Sequence, residues 1–248
     1  MLLAVDIGNS ATKFGIFENS FLVSTFSIQS QRNAGIAELT DAIAGRIDRK
    51  ISAAVVSSVV TELDPPLRAY LQLEHNVDPV FVDNTFDFGL EIKYEPANAA
   101  GVDRLIAAFA AVNKYGPPVI VCDFGTATTI DAVNSAREYL GGIITPGMKT
   151  MADALHVKTS KLPHVKIAKP MNVIGNTTIG SIRSGIFWGY IALVEGIISR
   201  MIVELREEPK VIATGGYAQL IANETAMIDE VDGTLILTGL ASLGKHTA

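Results

Sequence analysis

Cysteine is almost absent from this 248-residue chain. The single Cys122 excludes an intrachain disulfide framework and is typical of a protein from a reducing compartment. It stands in an apolar run just before Asp123, so we predict a packed strand residue and not a nucleophile.

Long runs of one charge are also absent. The formal net charge is −6 and the isoelectric point is about 5.2, without a basic helix or patch. Nucleic-acid binding and attachment to an anionic membrane both need clustered positive charge, and the sequence therefore argues against them. We expect a small-molecule partner.

Several nucleotide and metal signatures are missing. No P-loop pattern occurs, and no G-x-G-x-x-G sequence opens a helix. The four histidines lack the spacing of metal ligands, which argues against a structural zinc site. They are His75, His156, His164 and His246.

Membrane and export signals are weak. The first residues carry no basic stretch and reach Asp6 early, so we expect no signal peptide and a cytoplasmic location. The most apolar run, 184–199, is bracketed by Arg183 and Arg200 and contains Glu195. It is shorter than the ~20 apolar residues of a spanning helix, and we predict a buried helix that also contributes a subunit interface.

Two stretches of the sequence, 2–17 and 119–133, are closely alike. Each passes from an apolar strand into Asp-x-Gly, then through small hydroxylic or amide residues into a second apolar strand. Their aspartates, Asp6 and Asp123, stand nearly half the chain apart. The repeat predicts a duplicated domain, with one copy in 1–115 and the other in 116–248.

The chemistry of these turns suits a polyphosphate. Glycine after a strand-end carboxylate allows a sharp bend that brings main-chain N–H groups toward an anion. Hydroxyl, amide and ammonium groups follow in the first turn and hydroxyl groups in the second, and all of them can donate to phosphate oxygens. They belong to Asn9, Ser10, Thr12 and Lys13 in the first turn and to Thr126, Thr128 and Thr129 in the second. A single such turn would indicate only a β-hairpin, whereas two at half-chain spacing indicate a phosphate cradle.

Hydrophobic periodicity gives the element order. The first half is predicted as βββαβαβ, with the first helix over 34–48. The second half repeats the three-strand opening and continues with a helix, a long helix over about 178–206, a strand at 210–214 and two further helices. The sequence thus predicts an α/β protein with a mixed sheet flanked by helices in each half and a cleft between the halves.

Six segments in order resemble the type III pantothenate kinases, and they span most of the chain. They are Asp6–Lys13, Gly101–Arg104, Asp123–Thr129, Gly141–Gly147, Lys158–Pro163 and Thr214–Gly216. That family belongs to the actin, Hsp70 and sugar-kinase superfamily. The resemblance implies two duplicated actin-like, ribonuclease H-like domains with ATP in the cleft between them. It also implies phosphorylation of pantothenate by ATP to 4′-phosphopantothenate, the first step of coenzyme A synthesis.

The resemblance assigns the ATP half of the site. Asp6 would hold Mg²⁺ through water, and Asp123 would bind a monovalent cation, K⁺ or NH₄⁺. The ATP-binding residues it implies are Asp6, Gly8, Asn9, Ser10, Lys13, Thr126, Gly215 and Gly216. Thr128 and Thr129 are equally compatible with a structural role, because β-branched residues suit a strand.

The resemblance also assigns the substrate half. Asp103 would be the general base and Arg104 would bind pantothenate, together with Tyr94 and Gly101. By position alone, Asp103 would be the N-cap of a helix over 104–114, and both roles are compatible. The family sequence Gly-Lys-Asn-Thr reads Gly-Asn-Thr-Thr here, so the substrate threonine is Thr178 or its neighbour Thr177.

The family is dimeric, and the long helix of the second half is the expected interface. Two other functions compete with this assignment. One is a non-catalytic nucleotide-binding accessory or regulatory protein, and the other is a superfamily kinase with another small acceptor. A regulator would need only the phosphate turns, and another acceptor would need other groups at Tyr94, Asp103 and Arg104.

Overall fold

The computed structural model describes residues 1–244, which form two compact units. One consists of Met1–Lys114 together with the segment that begins at Thr234, and the other is Tyr115–Gly233. His246 lies outside the described residues. The prediction for 116–248 differs in one respect: the last helix belongs to the first unit, because its apolar residues pack on that unit's sheet.

The first unit contains a mixed sheet whose strands are ordered β3-β2-β1-β4-β5. The β1–β2 and β2–β3 pairs are antiparallel, and β4 continues the sheet in parallel with β1 and β5. The predicted order βββαβαβ is confirmed. The elements are β1 (Leu2–Ile7), β2 (Ala11–Glu18), β3 (Phe21–Gln29), α1 (Ile36–Ile43), β4 (Ala53–Ser58), a 3₁₀ turn (Thr61–Leu63), α2 (Asp64–His75), β5 (Val80–Phe81), β6 (Glu91–Ile92), a 3₁₀ turn (Ala97–Ala99), α3 (Val102–Tyr115) and α7 (Leu235–Leu243).

Helix α1 is shorter than the predicted 34–48. Its last residue is Ile43, after which Ala44 is extended and Gly45 has a φ of +70°. A residue with positive φ cannot continue a right-handed helix, and glycine adopts it without steric cost. The apolar spacing therefore continues past the point where the backbone turns.

The two faces of the first sheet are covered differently. Leu3, Val5 and Ile7 belong to a core cluster that includes residues of α1 and α2. Alternation along a strand directs Asp6 to the other face, the face on which α7 packs against β1, β2 and β4.

The second unit repeats the arrangement of the first. Its strands are ordered β11-β10-β7-β8-β9, with antiparallel β7–β8 and β8–β9 pairs and with β10 parallel to β7 and β11. The three-strand opening, the long helix and the strand at 210–214 are confirmed. The elements are β7 (Val119–Phe124), β8 (Ala127–Val133), β9 (Glu138–Pro146), α4 (Met148–Lys158), α5 (Thr178–Leu205), β10 (Lys210–Thr214), α6 (Ala218–Ala222) and β11 (Glu230–Val231).

Helix α5 carries much of the second unit's core. Its buried side chains, among them Phe187, Tyr190 and Val194, join a cluster with residues of β7, β8 and β10. By length and composition alone this helix could cross a bilayer, and 33% of its most apolar stretch is buried within the protein. The predicted helix is present, but only one of its faces lies in the core, so the helix is less buried than the sequence predicts.

Candidate active site

The first phosphate turn joins β1 to β2. Asp6, near the end of β1, is 7% exposed, and its partner in the β1–β2 register is Lys13. Residues opposite each other in an antiparallel pair lie side by side on the same face. The sheet therefore places Lys13 next to Asp6 on the same face of the β1–β2 pair.

The tip of this turn consists of Asn9 and Ser10, both exposed. The Gly8 N–H donates to the Ala11 carbonyl at 3.1 Å and closes the turn beneath them. A side-chain hydrogen bond also holds the tip, because the guanidinium of Arg32 donates to Asn9 Oδ1 at 3.0 Å. These contacts place two polar side chains at the exposed end of the β1–β2 pair.

The second phosphate turn joins β7 to β8. The partner of Asp123 in the β7–β8 register is Thr129. The Gly125 N–H donates to the Ala127 carbonyl at 3.1 Å, one residue sooner than in the first turn, and Thr126 forms the exposed tip.

The carbonyl of Thr126 is bonded from the start of α4. It accepts the Gly147 N–H at 3.0 Å and the Thr150 hydroxyl at 2.6 Å. A Cβ on Gly147 would lie 2.2 Å from the Gly125 carbonyl oxygen, so only glycine permits this approach. Thr150 is missing from the sequence-based site, although a hydroxyl in the first turn of a helix that follows Pro-Gly is a recognisable signal.

Gly215 packs directly on the end of β7. Its φ is +91°, and a Cβ there would lie 2.4 Å from Asp123 Oδ1 and 2.7 Å from the backbone of Phe124. A Cβ at Gly216, by contrast, would have no atom of the described residues within 4 Å. The close approach that glycine permits here is between β10 and Asp123, and the ATP contact of this pair remains a prediction.

Thr128 has a structural role. It is fully buried on β8, and its hydroxyl hydrogen-bonds to that of Tyr190 on α5. Burial raises the pKa of Tyr190 to about 12, so the phenol stays protonated. Cys122 is equally buried, and burial raises the pKa of its thiol, in agreement with a packed strand residue.

The substrate motif lies at the start of α3. The helix begins at Val102, and the Gly101 carbonyl accepts the Leu105 N–H at 3.1 Å, so the N-cap position belongs to Gly101. The prediction of Asp103 as N-cap is wrong by two positions. Asp103 lies inside the first turn, where its Oδ1 accepts the Arg104 N–H at 2.9 Å.

Gly101 lies close to this carboxylate. A Cβ at Gly101 would lie 2.7 Å from Asp103 Oδ1. On the other side, the Arg104 guanidinium lies 5.4 Å from the centre of the Tyr94 ring, within cation–π range, and Arg104 is only 6% exposed. The structure thus brings together all four residues assigned to pantothenate in the first unit.

The two candidate threonines differ in their contacts. Thr177 is the N-cap of α5, and its hydroxyl oxygen accepts the Gly180 N–H at 3.0 Å. Thr178 is the first helical residue and is exposed. The segment before them is held against the helix, since the Ser181 hydroxyl donates to the Gly175 carbonyl at 3.1 Å.

The residues available for metal binding suit magnesium. Within residues 1–244, no three His, Cys, Asp or Glu side chains form a cluster that could hold a metal ion. Magnesium keeps several waters and needs only one or two carboxylates when ATP supplies oxygens, so Asp6 fits that ion. Zinc would need a ligand set that the described residues do not supply.

Two sheets of one topology, each with a strand–Asp-x-Gly–strand turn, form an actin-like fold. Solved structures share this fold. A putative Baf family transcriptional activator from Campylobacter jejuni matches with a TM-score of 0.63 and 21% identity over 99% of this chain and 98% of that one. An inorganic polyphosphate/ATP-glucomannokinase from Arthrobacter sp. strain KM matches with a TM-score of 0.51 and 16% identity over 100% and 99%.

Sequence comparison identifies the family. The family model for type III pantothenate kinase matches residues 2–200. A type III pantothenate kinase from Halalkalibacterium halodurans is 39% identical over 251 residues, which cover 99% of each chain. The chain belongs to the type III pantothenate kinase family.

Proposed function

We propose that this kinase transfers the γ-phosphoryl group of ATP to the primary hydroxyl of pantothenate, with Asp103 as general base. The product is 4′-phosphopantothenate, the first intermediate of coenzyme A synthesis. The observation that carries the assignment is the coexistence of two phosphate turns with a separate carboxylate–guanidinium motif at the start of α3. A nucleotide-binding regulator would need only the turns.

The first turn is proposed to bind the phosphates and magnesium. Lys13, beside Asp6 in the strand register, neutralises phosphate charge, while Asn9 and Ser10 donate to phosphate oxygens from the exposed tip. Asp6 would hold Mg²⁺ through water, and Gly8 permits the bend. Bound magnesium would neutralise charge on the transferred group.

The second turn is proposed to bind the monovalent cation and the nucleotide. Asp123 has a neutral hydroxylic residue, Thr129, as its strand neighbour, and this setting suits a weakly held K⁺ or NH₄⁺ ion. Thr126 contacts the nucleotide phosphates. Gly215 and Gly216 lie where the chain leaves β10 and are assigned to the adenosine end.

Asp103 is proposed to orient the pantothenate hydroxyl and to accept its proton. Its position in the first turn of α3 favours the ionised carboxylate, because the helix N-terminus carries partial positive charge. Phosphoryl transfer is largely dissociative, so positioning matters more than early deprotonation. The proton therefore moves to Asp103 late.

The remaining substrate contacts follow from charge and shape. Arg104, held over the Tyr94 ring, can pair with the pantothenate carboxylate, and Gly101 leaves room beside Asp103. We assign the last contact to Thr178 and not to Thr177, because the Thr177 hydroxyl oxygen already caps α5.

A homodimer through α5 is part of the proposal, as is a cytoplasmic location. The helix exposes Gly185, Gly189 and Ala192 at helical spacing on one face, and a flat apolar face of this kind suits close helix packing. Light scattering should give twice the chain mass of 26.4 kDa. A stable monomer, or partition into detergent, would contradict this part of the proposal.

The decisive experiment is ATP-dependent phosphorylation of pantothenate by the purified protein with Mg²⁺ and with K⁺ or Na⁺. We expect K⁺-dependent turnover. Asp103→Asn should lower turnover by about 100-fold or more while ATP still binds, the usual scale for a positioned acid–base residue. Near-normal turnover in this variant would reduce Asp103 to a structural residue.

Other outcomes identify the competing functions. ATP binding with no turnover on pantothenate, but with turnover on another small alcohol, would indicate a superfamily kinase with a different acceptor. ATP binding with no transfer to any acceptor would indicate an accessory or regulatory protein. Equal turnover in Na⁺ and in K⁺ would support the kinase activity but contradict the proposal that Asp123 binds a monovalent cation.

A further inference from the structure

We propose that Asn84 is a positioning residue for the substrate motif, defined here as Gly101, Asp103 and Arg104. The inference rests on the proposed function, because it concerns the residues assigned to pantothenate. It adds a residue that belongs to neither the phosphate turns nor the substrate motif.

The Asn84 side chain joins two segments of the first unit. Its Nδ2 donates to the carbonyl of Asn98 and to the carbonyl of Ala100, both at 2.7 Å. Both N–H groups of the amide are thus used, which is the full donor capacity of this side chain. Because Ala100 directly precedes Gly101, one of the two bonds fixes the peptide that leads into the substrate motif.

The turn that carries Asn84 is itself anchored. Asp83 Oδ1 accepts the Thr85 hydroxyl at 2.6 Å and the Thr85 N–H at 2.9 Å, and these hydrogen bonds hold the pKa of Asp83 below its usual range. One residue earlier, the Val82 N–H donates to the Val56 carbonyl on β4 at 2.8 Å. Asn84 therefore lies two residues after a residue that is hydrogen-bonded to β4, in a turn that is itself closed by hydrogen bonds.

The segment that Asn84 holds has few apolar contacts of its own. Ala97, Asn98 and Ala99 form a single 3₁₀ turn and are exposed, whereas Ala100 is buried. The chain therefore becomes buried only at Ala100. Asn84 bonds to one exposed residue, Asn98, and to the buried Ala100, so these two hydrogen bonds can fix the position of the backbone that leads into α3.

A small shift at Ala100 would be passed directly to the reacting groups. Gly101 supplies the first helical acceptor of α3, and Asp103 lies in the first turn of that helix. Misplacement of a catalytic group by 1 Å can cost about 100-fold in rate. The effect should fall on the acceptor substrate, because the Asn84 amide donates to the segment before α3 and not to a phosphate turn.

The test compares Asn84→Ala and Asn84→Asp with Asn98→Ala as the matched control. Asn98 contributes only its main-chain carbonyl to the contact, so its side chain is dispensable. For Asn84→Ala we expect kcat/KM for pantothenate to fall by about tenfold, as for two lost hydrogen bonds, with an unchanged KM for ATP. In Asn84→Asp, which keeps the shape of the side chain but lacks both N–H donors, kcat/KM for pantothenate should fall at least as far. In Asn98→Ala it should equal the wild-type value.

Hydrogen exchange supplies a readout that does not depend on turnover. The amides of 101–104 should exchange faster in Asn84→Ala than in Asn98→Ala, while those of β1 stay unchanged. Wild-type pantothenate kinetics in Asn84→Asp, or equal exchange in the two alanine variants, would overturn the positioning role. If the wild-type protein fails to phosphorylate pantothenate, the proposed function fails, and the exchange comparison still tests the role of Asn84.

Discussion

The two phosphate turns share a sequence pattern and a strand topology, yet they are held in place by different means. The first is closed by its own backbone and tied by an exposed side-chain contact from Arg32 to Asn9. The second is fixed by main-chain approaches from two other segments, at Gly147 and at Gly215. Duplication thus preserved the bend and changed its support.

The turns differ in charge as well. Asp6 has a lysine as its strand neighbour, whereas Asp123 has a threonine. We therefore propose different ions for the two turns: a polyphosphate with its magnesium at the turn beside Lys13, and a single monovalent cation at the turn beside Thr129.

The largest effect is expected where the second turn depends on glycine. Gly215→Ala would place a Cβ against Asp123 and Phe124 at a φ of +91°, and we expect a loss of about 3 kcal/mol in the free energy of unfolding together with loss of activity. Gly216→Ala is the matched control, since nothing among the described residues crowds that position. Urea titration of both variants measures the difference, and equal midpoints would contradict the tight approach.

A smaller effect is expected from the charge of the first turn. Lys13→Met should raise KM for ATP by about 10-fold to 100-fold, because a charge-assisted contact to phosphate is lost, and Lys13→Arg should retain most of the affinity. Thr129→Val, the equivalent position in the second turn, should change KM for ATP less than Lys13→Met. Equal increases of KM for ATP in Lys13→Met and Thr129→Val would contradict the proposal that the two turns bind ATP differently because of their charge.

The smallest effects are expected from two exposed side-chain hydrogen bonds, one at each turn. Thr150→Val removes the hydroxyl bonded to the Thr126 carbonyl at 2.6 Å and should cost about 1 kcal/mol of stability. Arg32→Met removes the exposed contact to Asn9 and should cost about 0.5 kcal/mol or less. Thermal unfolding of the two variants measures both losses of stability. A larger loss in Arg32→Met than in Thr150→Val would contradict this prediction.

Much of the fold could be predicted from the sequence because its elements carry local signals. Alternating apolar residues, Asp-x-Gly turns and glycines after strands indicated both sheets and most helices. The two-residue strands β6 and β11 are too short for any periodicity, and the attachment of α7 to the first unit depends on contacts distant in sequence. The end of α1 was misjudged because apolar spacing continues through a backbone turn.

The candidate site also contains some residues with local sequence signals and others whose contacts are distant in sequence. Aspartates at strand ends and the Asp103–Arg104 pair are visible in short motifs. The N-cap was misplaced because Gly101 has no side chain to cap the helix, and the bond between Thr128 and Tyr190 joins β8 to a helix far along the chain. Asn84 donates to main-chain carbonyls, a contact that a sequence motif does not reveal.

The return of α7 to the first unit has a consequence for synthesis on the ribosome. The second unit is contiguous in sequence, so it can form its core as soon as residue 233 has emerged. The first unit, although translated first, lacks the cover of one sheet face until Leu235–Leu243 follow. One face of the first unit's sheet therefore stays partly uncovered until the whole second unit has been synthesised.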